Sequence, residues 1–148
     1  MRPAADGSVV RAQEPASLAR RAFALIYEAL LLAAVLLAGV LPFVALTQDA
    51  DRIMVRPLLQ LYLLALAGAY FIWQWRRGGQ TLAMKTWRLR LVTQAGGPLV
   101  PRQALARFVF AAAGCLLVGA GFLWVFVDRE RLFLHDRLAG TKIIMSDE

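Results

Sequence analysis

Residues 22–47 read "AFALIYEALLLAAVLLAGVLPFVALT", with Glu28 as the only charge. A helix needs roughly 20 apolar residues to cross a ~30 Å hydrocarbon core, and this run supplies them with no polar face of the kind a soluble helix shows. Two further runs share the property: "PLLQLYLLALAGAYFIWQW" (57–75) and "FVFAAAGCLLVGAGFLWVFV" (108–127). Hydrophobic residues make up 59% of the 148 and charged ones only 18%, far from the balance of a soluble domain. The chain therefore reads as an all-α integral membrane protein. It has two full transmembrane helices and a third apolar segment, either a re-entrant hairpin or a third span, with short β-prone segments at the cytoplasmic edge.

The first run is too long for a cleavable signal peptide and follows a polar leader. Residues 1–19, opening "MRPAADGSVVRAQEPAS", read as a disordered leader, and residues 20–146 as the membrane domain. Cys115 is the sole cysteine and lies in an apolar run, so it reads as a small packing residue without a disulfide or thiol metal cluster.

Orientation follows the distribution of basic residues. Four precede the first run, two lie between the first and second, seven between the second and third, and four follow the third. The N-terminus is thus expected on the cytoplasmic side of a bacterial inner membrane, with residues 48–56 as the external loop. A full crossing by the third run divides the basic residues 11 inside to 6 outside, whereas a hairpin divides them 15 to 2, which suits the rule better. The net charge of +7 then faces anionic headgroups and calls for no nucleic acid. The glycines in "AAAGCLLVGAG" (111–121) allow such a break. Ahead of them "PRQALARFVF" reads as an amphipathic helix opening at Pro101, with Arg102 and Arg107 towards water.

The segment "LAMKTWRLRLV" (82–92) can be laid without gaps over "LHDRLAGTKII" (134–144), Leu82 on Leu134 and Lys85 on Arg137. Both follow an apolar run and end in a β-prone stretch, so strands near Leu89–Val92 and Thr141–Ile144 are expected to pair.

Together "RRAFALIYE", "GGQTLAMKTWRLRLV" and "LHDRLAGT" resemble the RDD family of bacterial membrane proteins, over about residues 17–145. The family's arginine falls on Arg21, beside Arg20. Its first aspartate falls on Glu28, which keeps the carboxylate and adds a methylene, and its second on Asp136. Ala83 stands where the family often has glycine. The resemblance implies a bacterial membrane protein, suggests transport and brings no enzymatic activity with it.

Physical chemistry points to the same residues. Arg21 and Glu28 share one helical face, about 10.5 Å apart along the axis. A carboxylate two turns into an apolar run must pair, face water or hold a proton. Glu28 is therefore half of a structural ion pair, a proton or cation site, or an incidental interfacial acid, and Arg21, Glu28 and Asp136 are expected to form one cluster. Arg20, His135, Arg137 and Lys85 are its supporting neighbours, with His135 read as interfacial or solvated. One histidine beside one aspartate is too few ligands for a metal, no nucleophile has a catalytic setting, and no cofactor is implied. Trp73, Trp75 and Trp87 read as an interfacial aromatic belt. Two readings follow: a small transporter or ion-exchange subunit acting as a homo-oligomer or with a membrane-protein partner, and a non-catalytic scaffold for another membrane protein.

Overall fold

A computed structural model describes residues 16–117 and 119–146; the expected disordered leader falls mostly outside them. Ser17 caps helix α1 (Leu18–Leu46) by accepting the Arg20 N–H, and the helix continues through Pro42. Asp51 caps α2 (Arg52–Gly78) in the same way by accepting the Ile53 N–H. Because Asp51 starts that helix, the connection is Thr47–Asp51 rather than the whole of 48–56. Both helices are long and apolar enough to cross a membrane. They pack along one another, Phe43 stacking on Tyr62 at 5.2 Å. Their outward surfaces carry Leu30, Leu37, Leu41, Leu58, Leu61 and Leu64, all exposed, as lipid-facing residues would be.

Gly79 ends α2 in the left-handed conformation (φ 67°), its N–H donating to Trp75 O and its carbonyl accepting the Leu91 N–H at 2.7 Å. The chain turns there into the short helix α3 (Leu82–Thr86), capped by the buried Thr81, and strand β1 (Leu89–Thr93). Helix α4 (Pro101–Leu116) opens with proline at its first position, and the Gln103 side chain accepts the Val100 N–H at 3.3 Å.

The third apolar run is not one straight helix. It breaks after α4, and α5 (Ala120–Leu123) with the 3₁₀ turn Trp124–Phe126 lies 106° from it. Gly114 and Gly121 allow the fold-back. A Cβ added at Gly114 would sit 3.3 Å from Gly121 Cα, and one added at Gly121 would sit 3.1 Å from Gly114 Cα. Cys115 sits on the outer side of α4 and is exposed rather than packed.

After α6 (Leu134–Leu138) and a left-handed Gly140, strand β2 (Thr141–Met145) pairs antiparallel with β1 in the register Leu89↔Met145 to Thr93↔Thr141. The internal similarity is structural. With Leu82 laid on Leu134, α3 falls on α6 and β1 on β2. Left-handed Gly79 and Arg88 then fall on left-handed Arg131 and Gly140. The equivalent residues Leu91 and Ile143 stand opposite one another. The flanking bonds repeat as well, Ser146 N–H to Arg88 O at 2.8 Å and Gln94 N–H to Gly140 O at 3.1 Å. These are the relations of a local two-fold axis through the sheet.

The sheet lies at the end of the helix pair where α1 starts and α2 stops. Ala16 donates to Ile143 O at 3.4 Å, and Phe23 stacks on Trp87 at 5.2 Å. The core formed there by Ala16, Ala24, Trp75, Met84, Leu89, Leu91, Leu99, Ala104 and Ile143 is buried. Trp75 belongs to that core rather than to an aromatic belt. Trp73 stays exposed, with the Arg77 guanidinium 4.8 Å over its ring.

The register makes a direct prediction. In a Cys115→Ser background, Val92→Cys with Lys142→Cys should cross-link under mild oxidation, since directly opposed strand residues lie within disulfide reach. Val92→Cys with Ile144→Cys, a diagonal pair, should cross-link far less, as read by mobility on non-reducing gels.

Candidate functional site

The inward stripe of α4 carries Ala104, Arg107 and Gly114, all buried. The small residues bring the backbone close to its neighbours, and Arg107 projects into the interior, only 3% exposed. Its charge is matched by Asp136, on the first turn of α6 and 0% exposed, in a direct ion pair. Arg107 Nη1 also donates to Thr141 Oγ1 at 3.0 Å, and the Thr141 hydroxyl in turn donates to the Asp136 carbonyl at 3.4 Å. Gly140 makes this possible, because its positive φ (65°) turns the chain from α6 straight into β2. The Trp75 ring covers the guanidinium, its centroid 5.1 Å from Cζ. Arg107 was expected to face water, and the interior holds it instead because partner, hydroxyl and ring all lie there.

His135 is also buried, 5% exposed, rather than interfacial or solvated. It stacks on Phe133 with centroids 5.5 Å apart and meets Phe122 edge-on at 5.3 Å. Its Nε2 is 3.7 Å from Asp136 Oδ1. Burial first, and then the Arg107 charge, push its pKa from 6.5 down to about 2, so the ring is neutral.

Arg21, 2% exposed, does not pair with either acid. Its Nη1 donates to the carbonyl of Arg131 at 2.8 Å. That carbonyl is presented by a tied turn. Asp128 accepts the N–H groups of Glu130 at 3.2 Å and Leu132 at 3.0 Å, and also holds Arg137. The Leu132 N–H foremost, and then Arg137, keep the Asp128 carboxyl below the usual carboxylate range. Arg131 sits in the turn with φ 53°, a left-handed conformation uncommon outside glycine. Arg21 remains within electrostatic reach of Arg107.

Glu28, 8% exposed, faces α2 and accepts the Tyr70 hydroxyl at 2.8 Å. The single cluster expected from Arg21, Glu28 and Asp136 is thus three separate attachments. Glu28 lies two turns deeper than Arg21 and meets Tyr70 across the helix seam, while the direct packing of α4 on α6 brings Arg107 to Asp136. Of the expected neighbours, Arg137 holds Asp128, Arg20 is exposed with its guanidinium 3.8 Å from the Met145 sulfur, and Lys85 is exposed. Among the described residues, no three His, Cys, Asp or Glu side chains are grouped as metal ligands. Gln74 accepts the Leu82 N–H at 2.9 Å and so helps start α3.

Sequence reasoning missed Arg107, Tyr70 and Asp128. Arg107 could have been found from its spacing, since it shares a helical face with Ala104 and Gly114. Tyr70 and Asp128 left no such signal.

The chain matches the RDD family model over residues 15–140, most of its length. It belongs to the RDD family. RDD proteins are membrane proteins, in keeping with the two candidate spans. No curated protein and no solved structure gives a match.

Two measurements check the site. Arg107→Ala leaves Asp136 buried without its counter-charge and should cost about 3–5 kcal/mol in a detergent unfolding titration. Arg107→Met combined with Asp136→Leu should recover most of that loss. For His135, a depressed folded pKa means the unfolded chain binds the extra proton below pH 6.5. Stability should therefore fall as the pH drops from 6.5 to 5, above most carboxylate titration, approaching about 1.4 kcal/mol per pH unit at the steepest. His135→Phe should flatten that slope.

Proposed function

We propose that this RDD protein acts in proton- or cation-linked transport across a bacterial inner membrane, with Glu28 as the exchanging carboxylate. The observation that carries the reading is the setting of Glu28. It is buried in the otherwise uncharged run 22–47, its hydrogen-bond partner is the neutral Tyr70 hydroxyl, and among the described residues no Lys or Arg is paired with it. A carboxyl group so placed has no fixed counter-charge and gains one by taking up a proton or a small cation. Tyr70 donates to the ionised form and orients it.

On this reading the N-terminus is cytoplasmic, as the basic residues favour. The third apolar run enters and returns, which the pairing of β2 with β1 supports, since β1 follows directly from the end of α2 where α1 begins. Two spans and a hairpin enclose too little to form a pathway in one chain, so a homo-oligomer or a membrane-protein partner completes it. The role is non-enzymatic. Anionic lipid surrounds the basic end.

A scaffold role is favoured by one observation only, the Glu28–Tyr70 bond acting as a lock between α1 and α2. Proteoliposomes carrying a pH-sensitive dye separate the two. Glu28→Gln should reduce ion-dependent proton flux to the leak of empty liposomes while leaving the thermal midpoint unchanged. Intact flux in Glu28→Gln, or no flux above leak in the unaltered protein, sinks the transport reading. Lost stability would instead mark the bond as a structural lock.

A further inference from the structure

Two guanidinium groups, Arg21 and Arg107, are buried at the sheet end of the molecule, 2% and 3% exposed; of the buried carboxylates Asp128 and Asp136 there, Asp128 is already taken by Arg137, which leaves Asp136 for the two of them. His135 adds no charge, and the acid next along, Glu28, is held by Tyr70. Asp136 is matched by Arg107, so the surplus positive charge belongs to Arg21, whose Nη1 has only a backbone carbonyl as acceptor. The hydrogen-bond inventory is lopsided in the same sense. Arg21 Nε, Arg107 Nε and Trp75 Nε1 are buried donors without acceptors. Asp136 Oδ2 is the sole unpartnered buried carboxylate oxygen among the described residues, and it lies beside Arg107, where the pair can close on itself in two-pronged fashion. That leaves Arg21 Nε and Trp75 Nε1 without partners. A buried cation and buried N–H donors without acceptors are both costly, and one ligand removes both costs if it is negative and rich in acceptors.

We propose that the buried nest of Arg21, Arg107 and Trp75 holds one phosphate-type oxyanion, from a phospholipid headgroup or from free phosphate. Guanidinium groups suit that chemistry, because their fork of donors matches adjacent phosphate oxygens. Arg21 supplies the uncompensated charge and an Nε–H donor, Trp75 a neutral N–H donor, and Arg107 additional positive potential behind them. The position suits a lipid phosphate, since Arg21 lies in the opening turns of the apolar helix α1. This assignment is independent of the Glu28 reading and is tested without measuring flux.

The full chain in neutral detergent, titrated with phosphatidylglycerol in phosphatidylcholine mixed micelles and separately with inorganic phosphate, gives the test. The readouts are the thermal midpoint and tryptophan emission, with chloride as the ionic-strength control. A saturable rise in midpoint is expected with at least one phosphate source. Saturation by inorganic phosphate alone assigns a free anion, and saturation by phosphatidylglycerol only assigns a headgroup. Arg21→Gln should weaken binding about tenfold, as the loss of a charge-assisted hydrogen bond does. Arg21→Lys, which keeps the charge without the Nε donor, should fall between, and Trp75→Phe, which keeps the ring without its N–H, should weaken binding several-fold. Arg102→Gln, an exposed change on α4, should bind as the unaltered protein does. If Arg21→Gln does not fold, Arg21→Lys and Trp75→Phe decide. The proposal is overturned if neither source gives a saturable shift, if those two variants bind normally, or if Arg102→Gln weakens binding equally.

Discussion

Arg107 and Asp136 stand on different short helices, and their ion pair is the point at which four elements meet. Arg107 comes from α4, Asp136 from α6, Thr141 from β2 and the covering Trp75 from α2. Removing two charges from water costs several kcal/mol per ion, and only close pairing with further hydrogen bonds offsets it. The Thr141 hydroxyl and the Trp75 ring supply part of that offset. Such a pair adds little net stability over an apolar replacement, but it is selective about geometry. A slip of β2 by one residue would move Thr141 to the other face of the sheet and leave the guanidinium short of a partner. The pair therefore specifies which way the returning chain docks.

That docking also explains the local two-fold symmetry. Two helix–turn–strand units of similar sequence lie side by side, each entering its strand through a left-handed residue, Arg88 in one and Gly140 in the other. Antiparallel strands in this register bring equivalent residues face to face and bury the same positions in both, so each unit covers the apolar face of the other. Neither strand alone could do so, since an isolated two-stranded ribbon is marginal without something beneath it. Here the ribbon rests on Trp75, Met84 and Ala104. The symmetry stops at the charges. Asp136 falls on Met84 and His135 on Ala83, so one unit is apolar where the other holds the ion pair.

The parts legible in the sequence were those set by strong, local rules. Uncharged stretches of twenty residues (29–48) and nineteen (57–75) admit few alternatives, and both long helices follow from that. The strand pairing was legible because two copies of one pattern were present. The charge partners were not, because burial on a short helix is decided by what packs against it. Arg107 on an amphipathic stretch reads as a solvated residue until Asp136, 29 residues further along the chain, is placed opposite. Arg21 was harder still. Its acceptor is a backbone carbonyl, exposed by a left-handed arginine and a turn tied by Asp128, and a main-chain acceptor has no side-chain identity for a motif to record.

The separation of Glu28 from the arginines keeps two sets of buried charges apart. Had one guanidinium served both acids, Glu28 would carry a permanent counter-ion, and releasing it for ion exchange would break the frame that holds α4, α6 and β2 together. With Asp136 matched by Arg107 and Arg21 anchored to Arg131, the frame keeps its own charges. Glu28 needs only a neutral hydroxyl. Under the proposed transport role, a proton or cation would come and go at Glu28 without disturbing the buried pair, and changes at the Arg21 end need not alter the Tyr70 bond. The extra methylene of glutamate, relative to an aspartate, lengthens the reach of the carboxylate into the α1–α2 seam, where Tyr70 meets it. The same spacing that prevents one shared cluster keeps the Glu28 carboxylate, on its neutral hydroxyl partner, apart from the buried Arg107–Asp136 pair.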